Sequence, residues 1–180
     1  TVTVDAGTPL TLELDTILVD CQGGSSSVCF DLTVQDFVDI IGVQFNVVWD
    51  SAVLKFDSVV NHYPGLNLTN SMFFNYSTVS SGTLRFFGGN ANGWPDIPND
   101  SVFFTICYTV LANSTSSLAF SGTIDAANSS FNNVPVETIN GYFGLAFTVL
   151  VISGLVTWTM RGRRHFYIRR HIDWRRQTLQ

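Results

Sequence analysis

The stretch GVQFNVVWDSAVLKFDSV, residues 42–59, decides how the chain is read. Val43, Phe45, Val47 and Trp49 alternate with Gln44, Asn46, Val48 and Asp50. A repeat of two turns one set towards a core and the other towards water, the pattern of a half-buried strand. Asp50 and Ser51 then break the alternation with short polar side chains that favour turns. Apolar residues return at Val53, Leu54, Phe56 and Val59. The chain is therefore expected to bend after the strand and fold back on the same core as an edge element.

Working outward, Val28, Phe30, Leu32 and Val34 alternate with Cys29, Asp31, Thr33 and Gln35 in a second strand of the same kind. Residues 2–4 and 10–19 read as one β element broken at Gly7 and Pro9. Residues 72–76 and 83–87 read as two strands around a Ser/Gly turn, and residues 61–70 as a turn-rich crossing. Residues 88–100 form the longest irregular loop. The nearly continuous apolar run 102–111 predicts a central strand covered on both sides. Residues 118–120 and 134–139 complete the set. Strands about ten residues apart, with no helical period, predict an all-β fold: a two-sheet antiparallel sandwich.

The order Gly42, Phe45, Trp49, Asp50, Val53, Leu54, Phe56 resembles the early signature of cohesin domains. These are jelly-roll modules related to family 3 carbohydrate-binding modules. Their pattern is a Gly, alternating apolar residues with a Phe, then (Tyr/Trp)-Asp-x-x-Val-Leu-x-(Phe/Tyr). VCFDLTVQDFVDI (28–40) and SVFFTICYTVLANSTSSLAFSG (101–122) also fit, so the resemblance covers about residues 10–140. It implies a jelly-roll sandwich and a non-catalytic binding or adhesion module. The partner would be a dockerin-type module on another chain, or polysaccharide, in a cell-surface or polymer-degrading assembly. Cohesins bind through one sheet face, whose residues vary too much to be carried over by position. The alternative is a structural spacer repeat of a large surface protein.

Composition agrees with a secreted or cell-surface β protein. Only 13% of the 180 residues are charged, against about a quarter in ordinary domains, and Phe alone occurs 15 times. The net charge of −5 hides a division. Residues 1–160 carry 13 acidic side chains against Lys55 and Arg85, while residues 161–180 carry seven Arg against Asp173. So acidic a body argues against nucleic acid, whose phosphates need a basic face. The chain opens TVTVDAGTPLTLELD without Met and reads as processed or as part of something longer.

The expected division is a sandwich over 1–140, a hydrophobic segment over 141–160 and an Arg-rich tail over 161–180. GYFGLAFTVLVISGLVTWTM, residues 141–160, has no charge. As a helix it would span about 30 Å, the thickness of a bilayer's hydrocarbon core. Arg161, Arg163 and Arg164 follow at once, with Tyr142 and Trp158 near the two ends. That order predicts a single membrane anchor with a cytoplasmic C-terminus. Two other readings stand beside it: last strands of the sandwich, given the Val, Thr and internal Gly, or an out-of-frame tail.

For chemistry the chain offers little. No nucleophile elbow, phosphate loop, dinucleotide fingerprint or His-Glu-x-x-His occurs, so enzyme activity is not expected. His62 is the lone histidine of the body and reads as a solvated turn residue. The better candidate is the loop GGNANGWPDIPND (88–100), where Trp94 has little apolar company. An exposed Trp can stack on a sugar ring while Asn90, Asn92 and Asp96 bond its hydroxyls. The other reading of Trp94 is a plug at one end of the sandwich. Cys21 and Cys29 flank QGGSSSV between two strands and are expected to form a disulfide, leaving Cys107 as a small core residue. No metal or cofactor is expected. Asp96, Asp100 and Asp125 could offer oxygens to Ca²⁺, without the spacing of a dedicated loop. The Asn-x-Ser/Thr triplets at Asn67, Asn75, Asn99, Asn113 and Asn128 arise by chance in so polar a surface.

Overall fold

The computed structural model describes residues 8–20, 27–68 and 73–146. These form β1 (Leu10–Leu14), β2 (Thr16–Asp20), β3 (Ser27–Gln35), β4 (Ile40–Val48), β5 (Leu54–Val60) and β6 (Phe74–Asn75). A 3-10 turn (Val79–Ser81) leads into β7 (Thr83–Gly89), β8 (Ser101–Val110), β9 (Ser116–Asn128), β10 (Asn133–Val134), β11 (Val136–Ile139) and β12 (Gly141–Ala146). The first sheet has the order β11-β1-β3-β8-β5. The second runs β2-β12-β9-β4-β7-β6, with β10 added on β9. The expected sandwich is present, but its sheets are mixed where antiparallel ones were expected. β1 runs parallel to β11, and β2 parallel to β12. No hairpin joins these strands, so nothing obliges them to be antiparallel.

Both segments change sheets at the same level. The first breaks at Asp15, inside the 10–19 stretch, and the last breaks at Asn140; the expected strand over residues 2–4 lies outside the described residues. Asp15 donates its N–H to the Asp31 carbonyl (3.1 Å), and its own carbonyl accepts from Tyr142 N (3.3 Å). The Asn140 side-chain oxygen accepts from Phe120 N at 2.9 Å. The backbone groups freed by leaving one sheet are thus bonded at the step into the other.

β3 and β4 alternate as read, with Phe30, Leu32, Val34, Phe45 and Val47 buried. Phe45 stacks on Phe86 at 5.1 Å between ring centroids and meets Phe120 edge-on at 5.5 Å. Asp50 accepts the N–H groups of Val53 and Leu54, which turns the chain into β5. β5 is an edge strand, as expected, though of the other sheet. Trp49 closes this corner, its indole N–H bonded to the Leu54 carbonyl at 2.8 Å.

β8 is buried along its middle, as the apolar run foretold, for a different reason. The register slips between Leu32 and Thr33, so Phe103 and Phe104 both reach the core. On the opposite side, Thr105 donates to Asp31 Oδ1 at 2.5 Å and Cys107 is bonded to Cys29. Local crosslinks cover that side where a further layer was expected.

The body also runs past its expected end. The first six residues of the hydrophobic segment are β12, paired with both β2 and β9. The strand reading therefore holds for residues 141–146, and the anchor reading loses them. Among the described residues no helix is long and apolar enough to cross a membrane. The rest of that segment and the Arg-rich tail lie outside the described residues.

The expected Cys21–Cys29 bridge is corrected. Cys29 is bonded to Cys107, 78 residues away in sequence but directly opposite in the β3–β8 ladder, with Cα atoms 4.0 Å apart. Strand register places those two β-carbons together; Cys21 lies outside the described residues. The bridge closes a long loop in the unfolded chain. Replacing both cysteines by Ala is expected to lower unfolding free energy by about 2–4 kcal/mol. A non-reducing peptide map should recover the Cys29 and Cys107 peptides as one crosslinked species.

Candidate functional site: the outer face of the second sheet

The alternation that buries Val43, Phe45 and Val47 turns Gly42, Gln44 and Asn46 outward. On β7 the outward set is Arg85, Phe87 and Gly89. Register brings these into rows across the sheet. One row runs Asn133, Ala127, Gly42, Gly89 and carries almost no side chain. The next runs Asp125, Gln44, Phe87. An empty row beside a filled one makes a shallow hollow of about 270 Å³. Gln44 Nε2 donates to Asp125 Oδ2 at 2.7 Å, which fixes the polar wall. Phe87 stands beside it with 69% of its surface exposed.

The opposite outer face has another character. There Thr109 donates to Asp57 Oδ2 at 2.6 Å, and Thr105 to Asp31. These hydroxyls and carboxylates are bonded to one another. An exposed aromatic beside a hollow is the feature that excludes water on contact with a partner. Only the second sheet carries it among the described residues.

The loop chosen from sequence does not provide this site. Trp94 is buried, 6% exposed, with its ring against Phe37 and Phe103 at 6.0 and 6.3 Å. Both neighbours occupy the surface a sugar would need, so the plug reading is the right one. Asn90 Nδ2 donates to the Gly93 carbonyl (2.8 Å) while its oxygen accepts Asn92 N. Asp96 Oδ1 accepts Asp39 N at 3.0 Å. Asn90 and Asp96 brace loops, and Asn92 is exposed without converging on a pocket. Trp94 nevertheless touches the site from beneath. A β-carbon on Gly88 would lie 2.6 Å from its indole, so the glycine lets the ring pack directly under β7.

The acids considered for calcium are dispersed. Asp96 is bonded to Asp39, Asp100 accepts from Gln35 Nε2 at 3.4 Å, and Asp125 belongs to Gln44. Among the described residues no group of three or more His, Cys, Asp or Glu is placed to hold a metal ion.

What the sequence reading missed is Gly42, Gln44, Phe87, Gly89 and Ala127, spread over three strands, and the pairing of Asp125, considered only for calcium, with Gln44. The Gly88–Gly89 doublet ending an alternating strand was the one local signal. His62 also differs from its reading as a solvated side chain. Its ring stacks on Phe74 at 5.9 Å, and Nε2 is enclosed without a hydrogen-bond partner.

Two consequences can be measured. Trp94→Ala should cost about 3–5 kcal/mol of stability, seen as an earlier denaturant midpoint. Burial holds the His62 pKa below its ordinary 6.5. The unfolded chain therefore binds the proton more readily, so this contribution is complete above pH 6.5 and is lost as the pH falls below it. Thermal melts at pH 7.5 and 5.5 should show the drop, and His62→Phe should reduce it.

With the geometry in view, comparison with known proteins is direct. A family model described as cohesin domain matches residues 24–143. No curated protein matches. The sixth cohesin of scaffoldin B from Acetivibrio cellulolyticus, solved with the Cel5 dockerin, is 22% identical. It superposes with a TM-score of 0.62 over 77% of this chain and 99% of that one. The OlpA cohesin of Clostridium thermocellum, solved with Doc918, is 16% identical with a TM-score of 0.64, over 77% and 99%. A non-cellulosomal cohesin from Archaeoglobus fulgidus is 18% identical, TM-score 0.61, over 77% and 91%. Two sheets with this strand order and a family match over most of the described body lead to one statement: the chain belongs to the cohesin domain family.

Proposed function

We propose that this chain is a non-catalytic, extracellular recognition module that binds a dockerin-type partner on another chain. The outer face of β4, β7 and β9 is the docking surface. The observation that carries this is Phe87, 69% exposed beside a hollow whose floor is Gly42, Gly89 and Ala127. A near-backbone floor lets a partner approach closely, the ring supplies apolar area, and Gln44 with Asp125 fixes orientation by hydrogen bonds. The cohesins of Acetivibrio cellulolyticus and Clostridium thermocellum named above were each solved with a dockerin, which supports the same class of partner. The Cys29–Cys107 bridge supports an oxidising, extracellular setting. Polysaccharide is the weaker choice, because the tryptophan that would have stacked on it is buried.

The full chain should be titrated calorimetrically with the Cel5 and Doc918 dockerins, with Doc435, the dockerin solved with the OlpC cohesin of Clostridium thermocellum, and with a polysaccharide panel. Binding to a dockerin, weakened about 10–100-fold by Phe87→Ala at unchanged melting temperature, is the expected result. Binding to polysaccharide alone would replace the partner. Silence on every probe would favour a spacer.

A further inference from the structure

We infer that the turn between β9 and β10 is a second contact for the partner, with the Phe131 ring as its anchor; this rests on the docking surface proposed above. A standard interface takes about 800 Å² from each partner, more than one shallow hollow supplies. The surface must therefore continue, and Phe131 is where it does so.

Six described non-glycine residues have positive φ: Asp36, Asp39, Asn61, Asn67, Asp100 and Phe131. The first five are Asp or Asn, whose short polar side chains tolerate the left-handed region. Phe131, at φ 59°, is the exception. A bulky side chain is strained there, and Gly or Asn would serve the turn better. The ring gives the fold nothing in return, since it is 82% exposed, the highest value among the large apolar residues. A residue that strains its backbone and leaves its ring in water is explained by what it meets outside the chain.

The support beneath it is rigid. Asn128 Oδ1 accepts from Ser130 N (3.1 Å) and Asn132 N (3.0 Å), and Phe131 N donates to the Asn128 carbonyl at 2.8 Å. Ser129 Oγ donates to Asp39 Oδ2 at 3.0 Å, tying the turn to the loop that carries Val38, itself 58% exposed. A ring held out by a braced turn loses little freedom on binding. Its place also fits: Ala127 and Asn133, at the two feet of the turn, both line the hollow. Phe87 rises on the β7 side of that hollow and Phe131 on the β10 side. Three strand spacings separate the sides, and the turn lies beyond Asn128, three residues along β9 from the Asp125 row that holds Phe87, so the two rings would enter apolar sites roughly 15–20 Å apart on the dockerin-type module.

The test compares the full chain with Phe131→Gly, using the Cel5, Doc918 and Doc435 dockerins in calorimetry alongside thermal melts. The inference expects affinity to fall about tenfold or more while the melting temperature holds or rises, because glycine relieves the strain. Unchanged affinity in a variant whose parent binds overturns the inference and leaves the docking surface standing. A lowered melting temperature would show that the ring serves the fold, which also overturns it. Failure of the unaltered chain to bind any of the three removes the docking reading itself, and this inference with it.

Discussion

Asp15 and Gly141 meet where the first and last segments of the body step together from one sheet to the other, and that contact sets the rest of the sandwich. A β-carbon at Gly141 would run into the Asp15 carbonyl oxygen and crowd Leu14. Only a residue without a side chain lets the two backbones approach closely enough for Tyr142 N to reach that carbonyl. Because both segments cross at one level, each sheet gains a parallel edge pair, β11 with β1 and β12 with β2. β11 and β2 are then the edge strands of the two sheets, each held to its neighbour by a parallel ladder.

Between the sheets the core is largely aromatic. Phe45, Phe74, Phe86, Phe103 and Phe104 contact one another in stacked, tilted and edge-on pairs, with centroids 5.1 to 6.2 Å apart. Large flat rings fill space with few rotatable bonds, so a body this rich in Phe orders its interior at modest entropic cost. The same packing shapes the outside. Gly88 faces inward and admits the Trp94 indole, while Gly89, the next residue, faces outward and leaves the hollow open. One glycine doublet thus serves core and surface in opposite directions.

The parts of this arrangement legible in the sequence were those fixed by neighbours along the chain. The period of two in β3 and β4 gave their inner faces, and Asp50 gave the turn into β5, because those features depend on residues a few positions apart. Register between distant strands was not legible. It decided that Cys29 meets Cys107 in place of Cys21, and that Gly42, Gly89 and Ala127 align into a floor. Sequence left Trp94 between a sugar platform and a plug because its sequence neighbours are Gly and Asn, whereas the rings that bury it come from residues 37 and 103. The uncharged run after residue 140 read as one object because hydropathy alone does not separate a buried strand from a membrane helix. Its first six residues pair with β2 and β9, and only a partner strand reveals that.

The parallel pairing has a mechanical meaning. From Leu10 to Asp20 and from Val136 to Ala146 the two segments run the same way, so Leu10 and Ala146 lie towards opposite poles of the sandwich. Traction applied through those residues would draw the paired strands lengthwise past each other. The bonds across β1–β11 and β2–β12 would then have to yield as a group, where a hairpin pulled from its open end would lose them singly. A module joined to its neighbours at those two points would resist stretching along the line on which an assembly transmits load.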